Sequence, residues 1–329
     1  MIDISPLLGA GNAAGREEVA RAIDVACRDT GFFVVVGHGV PAGLGDRLDA
    51  LAREFFALDD AEKEGVAMER GGRAWRGWFP LGGELTSGVP DRKEGIYFGA
   101  ELGPEDERVR AGIALHGPNL FPARPAGVRT AVLDYMEAMT NLGHVLMGGI
   151  ALALGLDEEW FAHHLTGDPI VLFRIFCYPP ETGTDPGTWG VAEHTDYGLL
   201  TILGQDGTGG LQVRMGDAWV DVAPRPDAFV CNLGDMLERL TGGRYRSTPH
   251  RVRPPDRSSR LSFPFFFDPS WDAAVQPLPL EDRAAPAAGP PRWDHGDLQA
   301  VHGTYGDYLL GKVARVFPAL RDEVLEPGP

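Results

Sequence analysis

The chain has 329 residues, 43% hydrophobic and 23% charged, which supports one large globular domain or two small ones with a sizeable core. A formal net charge of -17 repels phosphate backbones and anionic bilayers, which sets nucleic acid and membrane surfaces aside as partners. The cysteines Cys27, Cys177 and Cys231 are too scattered for a disulfide framework and fit a reducing cytoplasm, the expected location.

In chain order, residues 1–6 lack the basic segment and apolar stretch of a secretion signal. Val19, Ile23, Ala26 and Cys27 recur at helical spacing, and Gly31 stops that helix. Phe32-Phe33-Val34-Val35-Val36 is an aromatic and β-branched run of the buried-strand kind, closed by the turn Gly37-His38-Gly39. Leu44, Leu48, Leu51 and Phe55 mark a second helix. A long helix is predicted over 127–154, with Val128, Val132, Met136, Met139 and Leu146 on its buried face. The apolar stretch 145–156 is broken by glycines and too short to span a bilayer.

From Ile170 the period changes to that of strands, with runs at 171–178, 199–203, 210–214, 218–222, 228–232, 247–252 and 261–267. Glycine, proline and aspartate punctuate them. Helices followed by many short strands predict an α+β fold, a double-stranded β-helix (jelly roll) with helices outside it. The proline- and alanine-rich stretch 284–291 reads as a surface loop. The expected organisation is a single catalytic domain over 1–329, with a mainly helical region 1–165, a β-core 166–270 and a C-terminal remainder 271–329. No feature points to an obligate protein partner.

The sharpest chemical signal is His194-Thr195-Asp196 with a distant His250. Residues two apart on an extended strand point to one side, so His194 and Asp196 can reach one metal. His250, in another strand-like run, can close the site. Two imidazoles and a carboxylate leave positions open, which suits Fe(II). A lone His-x-Asp is more often a hydrogen-bonded surface pair, and a zinc hydrolase could use the same three ligands. A second signal follows His250: Arg260-Leu261-Ser262, opening the run Phe263-Pro264-Phe265-Phe266-Phe267. Arg260 and Ser262 share a strand face, and a guanidinium beside a hydroxyl is a natural clamp for a carboxylate. An inward arginine in so apolar a run needs an anionic partner.

These residues resemble a known family. His194-Thr195-Asp196-Tyr197-Gly198-Leu199-Leu200-Thr201, His250 and Arg260-Leu261-Ser262 are similar to the isopenicillin N synthase-like branch of the iron(II)/2-oxoglutarate oxygenases. Gly31-Phe32-Phe33, Gly37-His38-Gly39-Val40-Pro41, Asn232-Leu233-Gly234-Asp235 and Thr241-Gly242-Gly243 agree with its pattern. The segment 302–308 resembles the C-terminal helix of bacterial members. Segments 73–78 and 116–119 resemble the bacterial branch that contains the ethylene-forming enzyme.

The resemblance implies that His194, Asp196 and His250 bind iron and that Arg260, Ser262 and Tyr178 hold 2-oxoglutarate. Phe176 departs from the asparagine of many plant members. Fe(II), 2-oxoglutarate and O₂ are the implied cofactor and co-substrates, with ascorbate as a reductant. The implied reaction oxidises, most commonly hydroxylates, a C–H bond of a small metabolite and releases succinate and CO₂. Oxidative cyclisation without 2-oxoglutarate, as in isopenicillin N synthase, and fragmentation of 2-oxoglutarate remain alternatives. Substrate contacts are expected from 73–98 and from beside the iron: Arg73, Trp75, Arg76, Trp78, Tyr97, Arg174 and Phe266. His38, His116, His144, His163, His164, His295 and His302 are expected to be structural or solvent-facing, and Cys177 and Cys231 to be small apolar fillers.

Overall fold

Strand-forming runs, mostly from the second half of the chain, pair into two sheets around a cavity, and the first half supplies most of the helices together with the strands at both edges of the larger sheet. The structure is a computed structural model that describes residues 1–9, 12–86, 88–180, 189–280, 292–294 and 296–317. In chain order the elements are β1 (Ile2–Asp3), α1 (Ala13–Asp29), β2 (Phe32–Val36), α2 (Ala42–Phe56), α3 (Asp60–Lys63), β3 (Gly77–Phe79), β4 (Leu85–Thr86), β5 (Val89–Pro90), β6 (Glu94–Gly99), α4 (Glu107–Arg110) and α5 (Val128–Ala153). There follow α6 (Trp160–His164), β7 (Pro169–Tyr178), β8 (Val191–His194), β9 (Leu200–Gln205), β10 (Leu211–Met215), β11 (Ala218–Asp221), β12 (Phe229–Leu233), α7 (Asp235–Leu240), β13 (His250–Val252), β14 (Arg260–Ser270) and α8 (Tyr305–Val316).

The larger sheet runs β1-β2-β12-β9-β14-β7-β6-β3 and the smaller one β11-β10-β13-β8. All pairings within these two sheets are antiparallel except β1 with β2. This is the jelly-roll core expected from the strand pattern, widened at both edges by strands from the N-terminal half. The run read as a strand over 247–252 narrows to His250–Val252. The pattern did not disclose β6 or β8; β8 has a single large apolar residue, Val191, which leaves no alternation to read. The expected loop 284–291 and His295 lie outside the described residues.

Local rules set the helix ends. Asn12 accepts a hydrogen bond from the Gly15 backbone at 2.6 Å, satisfying an orphan donor of α1. Gly31 has φ +65°, and a Cβ there would lie 2.0 Å from the Arg246 carbonyl oxygen, so the helix stop must be glycine. Thr304 and Asp307 form a reciprocal capping box that starts α8.

Period-two alternation along β14 decides what faces the cavity. Arg260, Ser262, Pro264, Phe266 and Asp268 line it. The intervening residues Leu261, Phe263, Phe265 and Phe267 are buried, and Phe267 packs against α5, its ring centroid 4.9 Å from that of His144. A Cβ on Gly143 of α5 would come within 2.4 Å of the Phe267 ring, so the helix sits close because glycine allows it. The five residues predicted for the buried face of α5 are all buried. All three cysteines are free and buried, and burial pushes their thiols up, Cys177 to about 12, which fits a filler role. Among the described residues no helix is long and apolar enough to cross a membrane.

Phe267→Ala should cost about 3–5 kcal/mol of unfolding free energy, as truncation of a fully buried phenylalanine does. Urea denaturation measures it; a loss under about 0.5 kcal/mol, the range of surface changes, would contradict the packing of β14 on α5.

Candidate metal centre

His194 closes β8, and His250 opens β13 directly opposite it in the antiparallel register. Their ring centroids are 4.2 Å apart. Asp196 lies just past the end of β8, in the turn before β9, so it reaches the histidines from a turn and not along the extended strand that the spacing predicts. Its Oδ1 stands 3.9 Å from His194 Nε2 and 3.7 Å from His250 Nε2. One donor atom from each of the three lies within 4.8 Å of the others.

Surrounding groups aim these donors. His194 Nδ1 donates to the Ala192 carbonyl at 2.8 Å and His250 Nδ1 to that of Thr248 at 3.2 Å, which leaves both Nε2 lone pairs inward. Asp196 Oδ2 accepts from Thr201 Oγ1 at 2.5 Å and from Asn232 Nδ2 at 2.7 Å, so Oδ1 is the oxygen left for a ligand. Burial pushes the His250 imidazole down to about 4, helped by His194 and opposed by Asp196. Burial works to raise Asp196, but His250, His194 and the two hydrogen bonds hold it below the usual carboxylate range. Neutral imidazole beside ionised carboxylate is the state a cation requires.

The same cavity, about 440 Å³, holds the carboxylate clamp. Arg260 is 1% exposed. Its Nη2 donates to Gln205 Oε1 at 3.2 Å, while Nε and Nη1 have no hydrogen-bond partner among the described residues. Ser262 Oγ lies 3.5 Å from Tyr178 OH, and the Arg260 guanidinium sits 4.9 Å from the Tyr178 ring centroid. A buried fork with two unused donors, beside two hydroxyls, fits a carboxylate in chemistry and in shape.

Comparison with known proteins agrees over nearly the whole chain. Residues 168–269 match the model of the 2OG-Fe(II) oxygenase superfamily, and residues 1–124 match one described as non-haem dioxygenase in morphine synthesis N-terminal. A probable iron/ascorbate oxidoreductase of Dictyostelium discoideum is 44% identical, over 93% of this chain and 91% of that one. The chain belongs to the 2OG-Fe(II) oxygenase superfamily. A homoarginine-6-hydroxylase of Arabidopsis thaliana is 34% identical over 96% of this chain and 97% of its own. The crystal structure of a full-length Neurospora crassa protein in complex with alpha-KG superposes with a TM-score of 0.77 at 26% identity, covering 95% of each chain. The protein is thus an iron(II)-dependent oxygenase with 2-oxoglutarate and O₂ as co-substrates, and its donor set fits that metal, since two imidazoles and one carboxylate leave coordination positions open.

The candidate substrate residues separate. Arg174 and Phe266 line the oxygenase's cavity. Arg73, Trp75, Arg76, Trp78 and Tyr97 do not, each for a visible reason. Arg73 Nε donates to the Gly112 carbonyl, and Arg76 is spent on the carbonyls of Ala100, Leu115 and Gly117. Trp75 packs edge-on against Phe317, and Trp78 donates to Glu94 at 2.9 Å. Tyr97 lies behind the wall, donating to Glu84 Oε1 at 2.5 Å. The sequence reading also missed lining residues: Glu84, Thr86 and Lys93 around β4–β6, and Trp293, Asp294, Lys312 and Arg315 near the C-terminus. Lys93 is 2% exposed and pairs with Glu84 at 2.7 Å and with Asp91. Arg174 Nη1 meets Glu84 Oε1 at 3.4 Å, and its guanidinium lies 4.2 Å and 4.8 Å from the ring centroids of Tyr97 and Phe266.

One acid in the cavity has an unusual state. Burial pushes Asp268 up to about 7, against hydrogen bonds from Tyr305 OH at 2.5 Å and the Leu199 amide at 3.1 Å. The folded protein therefore keeps a proton here that the unfolded chain loses near the ordinary value of 3.8. Stability from that proton is complete below the unfolded value and is lost as pH rises toward 7. Relative to the wild type, Asp268→Asn should gain stability between pH 5 and pH 7.5, read from thermal midpoints of both proteins. A wild-type-to-variant difference independent of pH in that window would refute the raised carboxyl.

Proposed function

We propose that this oxygenase hydroxylates a C–H bond of an α-amino acid with a cationic side chain, of the homoarginine type. Iron(II) is assigned to His194, Asp196 and His250, and 2-oxoglutarate to Arg260, Ser262 and Tyr178. The observation that carries the co-substrate assignment is the pair of unpartnered donors, Nε and Nη1, on fully buried Arg260 in the cavity of the metal donors. The substrate class is supported by the Arabidopsis relative's name; the lining carries both signs, Glu84 and Asp294 with Lys93, Arg174, Lys312 and Arg315, which suits the carboxylate and ammonium of an amino acid.

The balanced reaction is substrate C–H plus O₂ plus 2-oxoglutarate, giving substrate C–OH, succinate and CO₂. When bound, iron(II) supplies O₂ activation and the oxidation of both substrates. The chain's residues position and exclude. Arg260 fixes the far carboxylate of 2-oxoglutarate, aided by the Ser262 and Tyr178 hydroxyls. Thr201 and Asn232 hold Asp196 Oδ2, which keeps Oδ1 toward the two histidines. Phe176 and Phe266 contribute aromatic surface to the same cavity, each with a cation over its ring, Lys93 and Arg174. One catalytic unit acting on a small molecule accounts for these features without a protein partner.

Two measurements test this. Arg260→Ala should raise the dissociation constant for 2-oxoglutarate at least ~30-fold, the cost of leaving a buried carboxylate unpaired, with iron(II) binding retained; calorimetric titration at wild-type affinity would sink the assignment. Separately, iron-loaded protein with ascorbate, 2-oxoglutarate and O₂ should release succinate faster when homoarginine, arginine or lysine is added, with a product one oxygen atom heavier. No stimulation by these amino acids rejects the substrate class. Ethylene in place of that product would replace hydroxylation by fragmentation of 2-oxoglutarate.

A further inference from the structure

The two histidines of the metal centre are pinned by sheet register, since His194 and His250 are direct partners across β8 and β13. Asp196 has no such support, because it lies beyond the strand. We infer that Arg292 is a positioning residue for the metal centre: from the C-terminal segment it holds the 194–196 turn through Thr195 and Asp235, so that retention of iron(II) depends on that segment. The inference rests on the assignment of the metal donors above.

Arg292 Nη2 donates to Thr195 Oγ1 and to Asp235 Oδ1, each at 2.7 Å, and its Nε donates to Asp294 Oδ1 at 2.7 Å. Thr195 stands between two metal donors and is 4% exposed; Asp235 is 1% exposed. The Asp235 amide donates to the Asp196 carbonyl at 2.8 Å, and the Met236 amide to the carbonyls of Tyr197 and Gly198, each at 3.1 Å. The start of α7 therefore grips the backbone of the turn. Asp235 is gripped in turn, by Arg292 and by Lys312 Nζ at 3.3 Å from Oδ2. A buried carboxylate must have such partners, so the position of α7 is coupled to the segment that supplies them. Arg292 itself does not line the cavity, although its neighbours Trp293 and Asp294 do. Its effect on the metal must pass through Thr195 and Asp235.

Groups that orient a metal ligand typically affect metal affinity 10–100-fold when removed. Equilibrium dialysis of the full apoprotein against iron(II) under anaerobic conditions, without substrate, reads this directly. Thr195→Val deletes the hydroxyl acceptor and leaves the Arg292–Asp235 pair; it should weaken iron(II) binding about tenfold. Arg292→Ala should weaken it further, toward ~100-fold, with Arg292→Lys in between. The Thr195→Val, Arg292→Ala double variant should bind no more weakly than Arg292→Ala alone, because both remove one interaction. A Thr195→Val protein with wild-type iron affinity overturns the inference, as does strict additivity in the double variant. Should Arg292→Ala fail to fold, Thr195→Val alone decides. A wild-type chain that binds no iron(II) would overturn the metal assignment itself, a result distinct from either.

Discussion

An ionised carboxylate is costly to bury, and most of this structure can be traced to how the chain meets that cost at Asp196. Its Oδ2 is taken by Thr201 of β9 and Asn232 of β12, while its Oδ1 looks toward histidines on β8 and β13. One side chain thus draws on strands of both sheets. Two donors, Thr201 Oγ1 and Asn232 Nδ2, meet this carboxylate in place of water, and Oδ1 is turned toward the two histidines, where a cation would complete it. The glycines nearby follow from the same crowding. A Cβ on Gly198 would fall 1.5 Å from Asp268 Oδ1, and one on Gly234 would fall 2.3 Å from the Gly198 carbonyl oxygen.

The second buried charge, Arg260, is handled differently. Asp196 has two donors on its Oδ2; Arg260 is left short of acceptors, with a single hydrogen bond to Gln205 and two unused nitrogens among the described residues. Such a group is a standing penalty unless a ligand anion completes it. The cavity is therefore asymmetric in its chemistry: one part suits a cation and another an anion. A keto acid that chelates a metal while extending a second carboxylate meets both.

The chemistry of the core was legible because it obeys the simplest periodicities. Arg260 and Ser262 share a strand face two residues apart, and the aromatic run that follows alternates between cavity and helix as a strand must. His194 and Asp196 were paired by the same rule, and the structure brings them together by a different geometry, with Asp196 in a turn. The remaining lining of the cavity was less legible. Arg76 and Trp78 sit in a segment rich in charge and aromatics, yet Arg76 spends its donors on three backbone carbonyls, which no local pattern announces. Lys93, in the charged stretch Asp91-Arg92-Lys93-Glu94, has the look of a solvated face but is almost wholly buried among acids. Arg292 follows a proline-rich stretch with no periodicity at all. The chain's three lysines, Lys63, Lys93 and Lys312, all engage in ion pairs, a pattern invisible without the fold.

The C-terminal helix α8 contributes to the cavity in a manner the strands cannot. Leu309, Lys312, Arg315 and Val316 line it at intervals of three, three and one, a single helical stripe anchored by the Thr304 cap and by Tyr305 on Asp268. A substitution at Leu309, Arg315 or Val316 changes the charge or bulk met by a ligand without touching a strand register, a metal donor or the Arg260 fork, whereas Lys312 also pairs with Asp235. Those three positions on the cavity wall are thus mutable apart from His194, Asp196, His250 and Arg260. A lineage carrying this architecture can reshape the wall of its cavity through a few replacements on one inward helix face, while both sheets stay as they are.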